Sequence, residues 1–73
     1  MDNYRLANRI RSFRKLKGLT QADFAVKLGV SLAQLGAMER GVRKPSPEML
    51  ELIAKSLGIQ ISDLTNHEAS EVK

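Results

Sequence analysis

Apolar residues recur at helical spacing over the first seventeen positions of the chain. Leu6, Ile10 and Phe13 follow one another at intervals of four and three residues, so that they share one face of a helix. Basic side chains lie off this stripe. Gly18 follows it, and glycine readily adopts the left-handed conformation that ends helices. The pattern therefore predicts a first helix over residues 3–17.

Two similar N-terminal capping patterns follow, eleven residues apart. Thr20 can cap a helix, with Asp23 three residues later as a shorter substitute for the Glu or Gln of a capping box. Ser31 and Gln34 repeat this arrangement. Apolar residues stand at the spacing of a hydrophobic staple around each cap: Leu19 with Phe24, and Val30 with Leu35. Because Gly29 permits a turn between the two helices, the segment is predicted to be a helix-turn-helix.

The rest of the pattern predicts two more helices. Ser46 can cap a fourth helix, with Pro47 at its first position, where a missing N–H costs nothing. The apolar stripe of this helix consists of Met49, Leu50, Ile53, Ala54 and Leu57. Gly58 ends it, and residues 59–65 are predicted to form a short fifth helix. The apolar contacts of that helix are Ile59, Ile61 and Leu64.

No segment shows the alternation typical of a strand, so the predicted fold class is all-α, a compact five-helix bundle. With 73 residues, the chain suffices for one small domain, which we place at residues 1–65. Residues 66–73 lack an aliphatic period and are predicted to be a polar, flexible tail. The absence of cysteine and of a long apolar run predicts a soluble cytoplasmic protein.

Charge is distributed unevenly along the chain. The formal net charge is +4, but residues 1–45 carry ten Lys or Arg against three acids, and residues 46–73 carry two against five. A basic front half and an acidic rear half favour an oriented binder of a polyanion. The alternative is a solvated surface on which the charges happen to segregate.

From IRSFRKLKGLTQADFAVKLGVS through ERGVRKPSPEMLELIAKSLGI, about fifty residues, the chain resembles the small helix-turn-helix domains of phage repressors and Cro-type regulators. The marks of the resemblance are Thr20, Gln21, Ala25, Gly29, Leu35 and the run Glu39-Arg40-Gly41. The resemblance implies a five-helix bundle of the lambda-repressor type. It also implies a transcriptional regulator that binds double-stranded DNA, usually as a homodimer on paired half-sites.

The family resemblance implies two kinds of residue role: contacts with DNA phosphates and a contact that stabilises the fold. The second helix of the motif, residues 31–40, would enter the major groove, while the helix over residues 20–28 lies across the backbone. Gln21 falls where family members hold a phosphate. Phosphate contacts are also implied for Arg40 and for two residues of the following loop, Arg43 and Lys44. Arg14 and Glu39 match a structural ion pair of the family. It joins the first helix to the second helix of the motif, residues 31–40, which we call the reading helix.

At the positions that contact bases, the reading helix differs from family members that carry polar side chains there. Leu32, Ala33 and Ala37 stand where family members commonly contact bases, and none of them carries a hydrogen-bonding group. Gln34 lies at the side of this face, and its side chain is partly used in the capping box with Ser31. Gly36 is predicted to face outward with Ala33 and Ala37. Because glycine costs about 1 kcal/mol in a helix interior, its presence suggests a requirement for the missing side chain.

Two accounts of this face remain open. Small apolar side chains can read thymine methyl groups, with affinity supplied by phosphates. Alternatively, the same face accepts a partner helix, and the domain is a protein–protein interaction module or an antitoxin-like adaptor. The basic front half favours DNA.

Other roles find little support in the sequence. The carboxylates and the single His67 lack the spacing of a metal or catalytic site, so we expect no enzyme, metal, cofactor or small-molecule ligand. Ile61, Leu64 and the end of the fourth helix are candidates for a dimer contact, or else they simply close the core.

Overall fold

The computed structural model describes residues 3–65, which form five helices and no strand. The bounds are α1 Asn3–Leu16, α2 Gln21–Leu28, α3 Leu32–Glu39, α4 Pro47–Leu57 and α5 Ile61–Thr65. The all-α prediction is confirmed, and only the ends of the helices differ: α1 stops one residue earlier than predicted, and α5 starts two residues later. None of these helices combines the length and apolar character that a membrane crossing requires. The predicted tail and His67 lie outside the described residues.

Both predicted capping boxes form at the starts of α2 and α3. The Thr20 hydroxyl accepts the Asp23 N–H at 3.0 Å, and the Asp23 carboxylate accepts the Thr20 N–H at 3.4 Å. Ser31 and Gln34 exchange the same two bonds, each at 3.0 Å. These bonds satisfy N–H groups that lack partners inside a helix, so each helix begins where its cap stands.

The turn between α2 and α3 depends on a left-handed residue. Gly29 has φ +73°, a conformation that costs residues with a Cβ atom roughly 1–2 kcal/mol. Beyond it, the Val30 N–H donates to the Ala25 carbonyl at 3.0 Å, which closes the end of α2. The chain then reaches the Ser31 cap within two residues, and this short connection holds α2 and α3 in contact.

The core lies where all five helices meet. Its largest completely buried side chains are Phe24, Ile10, Leu35, Ile53, Leu57 and Leu64. Helix α1 packs against α3, α4 and α5, and α4 packs against α2. Helices α2 and α3 each bury one face in this core and leave the other face accessible.

Helix α5 closes the core instead of leaving its apolar residues at the surface. Leu64 is 0% exposed, so the suggestion that it forms a dimer contact is wrong and the alternative, closure of the core, is right. Ile61 is half-buried and packs against the same cluster. The sequence pattern did not anticipate a second attachment: the Arg9 guanidinium donates to the Asp63 carbonyl at 2.7 Å, which joins α1 to α5.

The N-terminal cap of α4 can be tested by its contribution to stability. The Ser46 hydroxyl accepts the Met49 N–H at 3.1 Å. We expect Ser46→Ala to lower the free energy of unfolding by about 1 kcal/mol, because that N–H loses its protein partner. Urea unfolding followed by far-ultraviolet circular dichroism measures this change. Ser12→Ala, an exposed position within α1, is the matched control and should be neutral or stabilising; equal effects at both serines would contradict the capping role.

Candidate nucleic-acid interface

The outer face of α3 is small and apolar, as the sequence indicated. Leu32 is 51% exposed, and Ala33 and Gln34 are also exposed. Ala37 is half-buried one turn further on. Four residues of the predicted reading surface are therefore accessible to a partner, and the two leading ones, Leu32 and Ala33, offer only methyl and methylene groups.

Gly36 is not exposed as predicted; it is buried. A Cβ atom built on Gly36 would lie 3.1 Å from Arg40 Nη1 and 3.9 Å from Gln21 Nε2. Two long side chains thus cover the backbone of α3 at this point, one from the next helical turn and one from α2. The pattern placed the residue correctly around the helix, but it could not show that its neighbours fold over it.

A bidentate ion pair lies beneath this face and joins α1 to the end of α3. Arg14 Nε donates to Glu39 Oε2 at 2.7 Å, and Arg14 Nη2 donates to Glu39 Oε1 at 3.1 Å. Arg14 is 8% exposed and Glu39 is 2% exposed. Arg14 Nη1 also donates to the Leu19 carbonyl at 2.8 Å, which ties in the loop between α1 and α2. The pair implied by the family resemblance is therefore present.

Gln21 extends this pair to a third helix. As the first residue of α2, it donates from Nε2 to Glu39 Oε1 at 3.2 Å. Its amide oxygen is not part of that bond and its side chain is half-exposed, so Gln21 links the buried pair to the surface. The sequence reasoning missed this contact with Glu39. The available signal was a long polar side chain at the start of α2, next to a carboxylate that the family places inside the motif.

The basic loop after α3 is fastened to that helix by its backbone. The N–H groups of Val42 and Arg43 both donate to the Ala37 carbonyl, at 3.0 and 3.2 Å. Gly41 turns the chain with φ +79°. Arg43 and the next residue, Lys44, are exposed. Within residues 4–65, neither these two cations nor Arg40 forms an ion pair with a carboxylate.

A shallow cleft of about 230 Å³ separates α3 from the start of α4. It is lined by Val30, Gln34, Met38, Arg43, Lys44, Pro45, Ser46 and Met49. Four of these residues are apolar and two are cations. No group of three potential metal ligands occurs in the part of the chain that the structure describes. Exposed cations flanking a helix in a helix-turn-helix are the arrangement that nucleic-acid binding requires.

Comparison with known proteins agrees with this geometry. The helix-turn-helix family model matches residues 10–64. An uncharacterized HTH-type transcriptional regulator of Bacillus subtilis, YazB, is 48% identical over 60 residues, which cover 82% of this chain and 87% of that protein. The immunity repressor protein of Bacillus phage phi105 is 38% identical over 63 residues, 86% of this chain but only 44% of the repressor.

Solved structures show the same fold. The restriction-modification controller protein C.AhdI of Aeromonas hydrophila superimposes with a TM-score of 0.82 at 32% identity, covering 86% of this chain and 96% of its own. The clp gene regulator ClgR of C. glutamicum gives 0.84 at 31% identity, with coverages of 97% and 92%. The chain belongs to the helix-turn-helix family of transcriptional regulators. The predicted class of protein is thereby confirmed; the individual DNA contacts stay predictions.

The ion pair yields a stability test. Either Arg14→Leu or Glu39→Leu alone should lower the free energy of unfolding by about 3–5 kcal/mol, because each leaves a buried charge without its partner. The double variant should recover much of that loss, since both charges are gone. Urea unfolding by circular dichroism measures the three values. Arg11→Ala, which removes only an exposed bond to Asn8, is the control and should change stability by less than about 0.5 kcal/mol. Simple additivity of the two leucine substitutions would contradict the coupling.

Proposed function

We propose that this chain regulates transcription by placing α3 in the major groove of double-stranded DNA. The observation that carries the proposal is a set of exposed cations that follows α3 and has no ion-pair partner among residues 4–65: Arg40, Arg43 and Lys44. They flank a face small enough to approach base edges closely. In this arrangement the cations hold the phosphates on either side of the groove, and the face between them meets the bases.

Phosphate binding has support at two places. The N-terminus of α2 offers free N–H groups and the positive end of the helix dipole, and the half-exposed Gln21 amide stands there. Arg43 and Lys44 line the cleft beside α3. Because Val42 and Arg43 are bonded to the Ala37 carbonyl, the loop holds these cations at a set distance from the reading face.

Base recognition in this proposal is mainly apolar. Leu32, at the entering end of α3, and Ala33 can contact thymine methyl groups, which project into the major groove. Gln34 uses its amide oxygen in the cap, so only its amide nitrogen is left to donate to a base or phosphate. Affinity then comes chiefly from phosphates, and sequence preference from methyl groups and from the shape of the duplex.

The competing function is docking of a partner helix on Leu32 and Ala33. Three neighbouring cations that lack a carboxylate partner in the described part of the chain speak against it, because an apolar docking site gains nothing from them. We also infer a homodimer on paired half-sites, with Ile61 as the remaining candidate contact, and a location in the cytoplasm with the DNA. Selection of bound sequences from random duplexes would show the operator and whether half-sites are paired.

Salt dependence tests the phosphate contacts without knowledge of the operator. We expect the wild-type chain to bind a mixed-sequence duplex at low salt, with affinity falling steeply as salt rises. Arg43→Ala should weaken binding on all duplexes alike and reduce the slope of log affinity against log salt by about 0.9, the value for one phosphate. Fluorescence anisotropy with a labelled duplex measures both quantities.

The control for Arg43→Ala is Lys55→Ala, which removes an exposed cation from the last turn of α4. It should leave the slope nearly unchanged. If the wild-type chain binds no duplex even at low salt, the proposed function is wrong. If both substitutions reduce the slope equally, the loop is not a specific phosphate contact.

Thymine methyl recognition is tested on a duplex sequence obtained from the selection of random duplexes. Uracil replaces thymine in it, one position at a time. Each contacted methyl group that is lost should reduce affinity about fourfold, the effect of one buried methylene-sized group. Leu32→Ala should bind more weakly and respond less to uracil, whereas Leu52→Ala on the exposed side of α4 should respond as the wild type does. Anisotropy titrations compare the variants; a wild-type chain indifferent to uracil at every position would exclude methyl reading.

A further inference from the structure

We propose that Gly36 is a positioning residue, whose missing side chain seats the Arg40 guanidinium beside the Gln21 amide so that both bind one phosphate of the duplex. The inference rests on the proposed function and adds to it a residue that touches no DNA itself. It concerns how a flexible cation is held in place before DNA arrives.

Neither the backbone nor the core explains the glycine. Gly36 lies inside α3 and has no positive φ, so any residue could adopt its conformation. A Cβ atom there would meet only two atoms within 4 Å outside its own helical backbone, Arg40 Nη1 and Gln21 Nε2. Both are the ends of flexible side chains. Alanine would fit the fold and would favour the helix, so the fold alone does not require glycine.

The position of Arg40 is sensitive to the missing side chain. At 3.1 Å from the built Cβ atom, Nη1 stands closer than ordinary van der Waals contact, so a methyl group would displace the end of the Arg40 side chain by a few tenths of an ångström. Within residues 4–65, no hydrogen bond or ion pair holds this guanidinium. Its place over Gly36 therefore depends on the space that the missing side chain leaves.

The two nitrogen atoms border the same point above Gly36. Gln21 Nε2 is oriented by its bond to Glu39 Oε1, and the charge of Glu39 is already matched by Arg14. The charge of Arg40 is thus left uncompensated beside an amide at the N-terminus of α2. A guanidinium and an amide N–H that both border Gly36 can each donate to a phosphate group, and a charged donor makes the stronger bond.

The test is a double-mutant cycle of Gly36→Ala and Arg40→Ala on duplex binding. Gly36→Ala should raise Tm by about 4–8 °C, because alanine favours the helix. It should nevertheless reduce affinity about threefold, less than the roughly tenfold loss expected for Arg40→Ala, and reduce the salt slope by less than the roughly 0.9 that Arg40→Ala removes, because the guanidinium is displaced and not lost. In the Arg40→Ala background, Gly36→Ala should have little further effect on binding.

Three outcomes would overturn the inference. In the first, Gly36→Ala keeps wild-type affinity and salt slope. In the second, Gly36→Ala weakens the Arg40→Ala variant as much as it weakens the wild type, which means that the methyl group itself collides with DNA. In the third, the Nε–H resonance of Arg40 and the amide resonances of Gln21 in the free protein do not respond to Gly36→Ala. If the wild-type chain binds no duplex, the proposed function fails, while these resonances still decide whether Gly36 seats Arg40.

Discussion

The buried pair of Arg14 and Glu39 is the interaction on which the rest of the motif depends. It joins α1 to the last turn of α3, and through the Leu19 carbonyl it also holds the chain that leads into α2. Gln21 binds the same carboxylate, so three helices converge on one charged group. Such a pair gives little net stability compared with apolar residues of the same size, but it tolerates only one arrangement of its partners. The orientation of α3 relative to α2 is therefore specified by hydrogen-bond geometry as well as by packing.

Local chemistry made the helices predictable from the sequence. The caps at Thr20, Ser31 and Ser46 each satisfy a nearby N–H through a residue only three positions away, so the pattern alone locates them. The end of α1 was less predictable because glycine marks where a helix stops only approximately. The start of α5 was less predictable because no Ser, Thr, Asp or Asn stands directly before Ile61 to mark it. Core membership of the apolar stripes followed from periodicity, and the family resemblance supplied the ion pair and the class of protein.

Contacts made by long side chains between helices were beyond prediction from the sequence. The outward direction of Gly36 followed from helical geometry, but its burial depends on the conformation of the Arg40 and Gln21 side chains. Likewise, Leu64 offers the same pattern whether it closes the core of one chain or joins two chains. Each error arose where position around a helix was known and the neighbouring surface was not. The candidate site was therefore located correctly as a region but only partly as a set of exposed residues.

The hydrogen bonds to the Ala37 carbonyl affect the thermodynamics of binding to a target. By accepting two N–H groups of the following loop, it makes the reading helix and the basic loop a single unit, already ordered in the free protein. A loop that became ordered only on meeting its target would lose backbone entropy at each residue during binding. Here that entropy is lost once, when the domain folds. The heat-capacity change on association should then reflect the surface that is buried, without a contribution from folding of the loop.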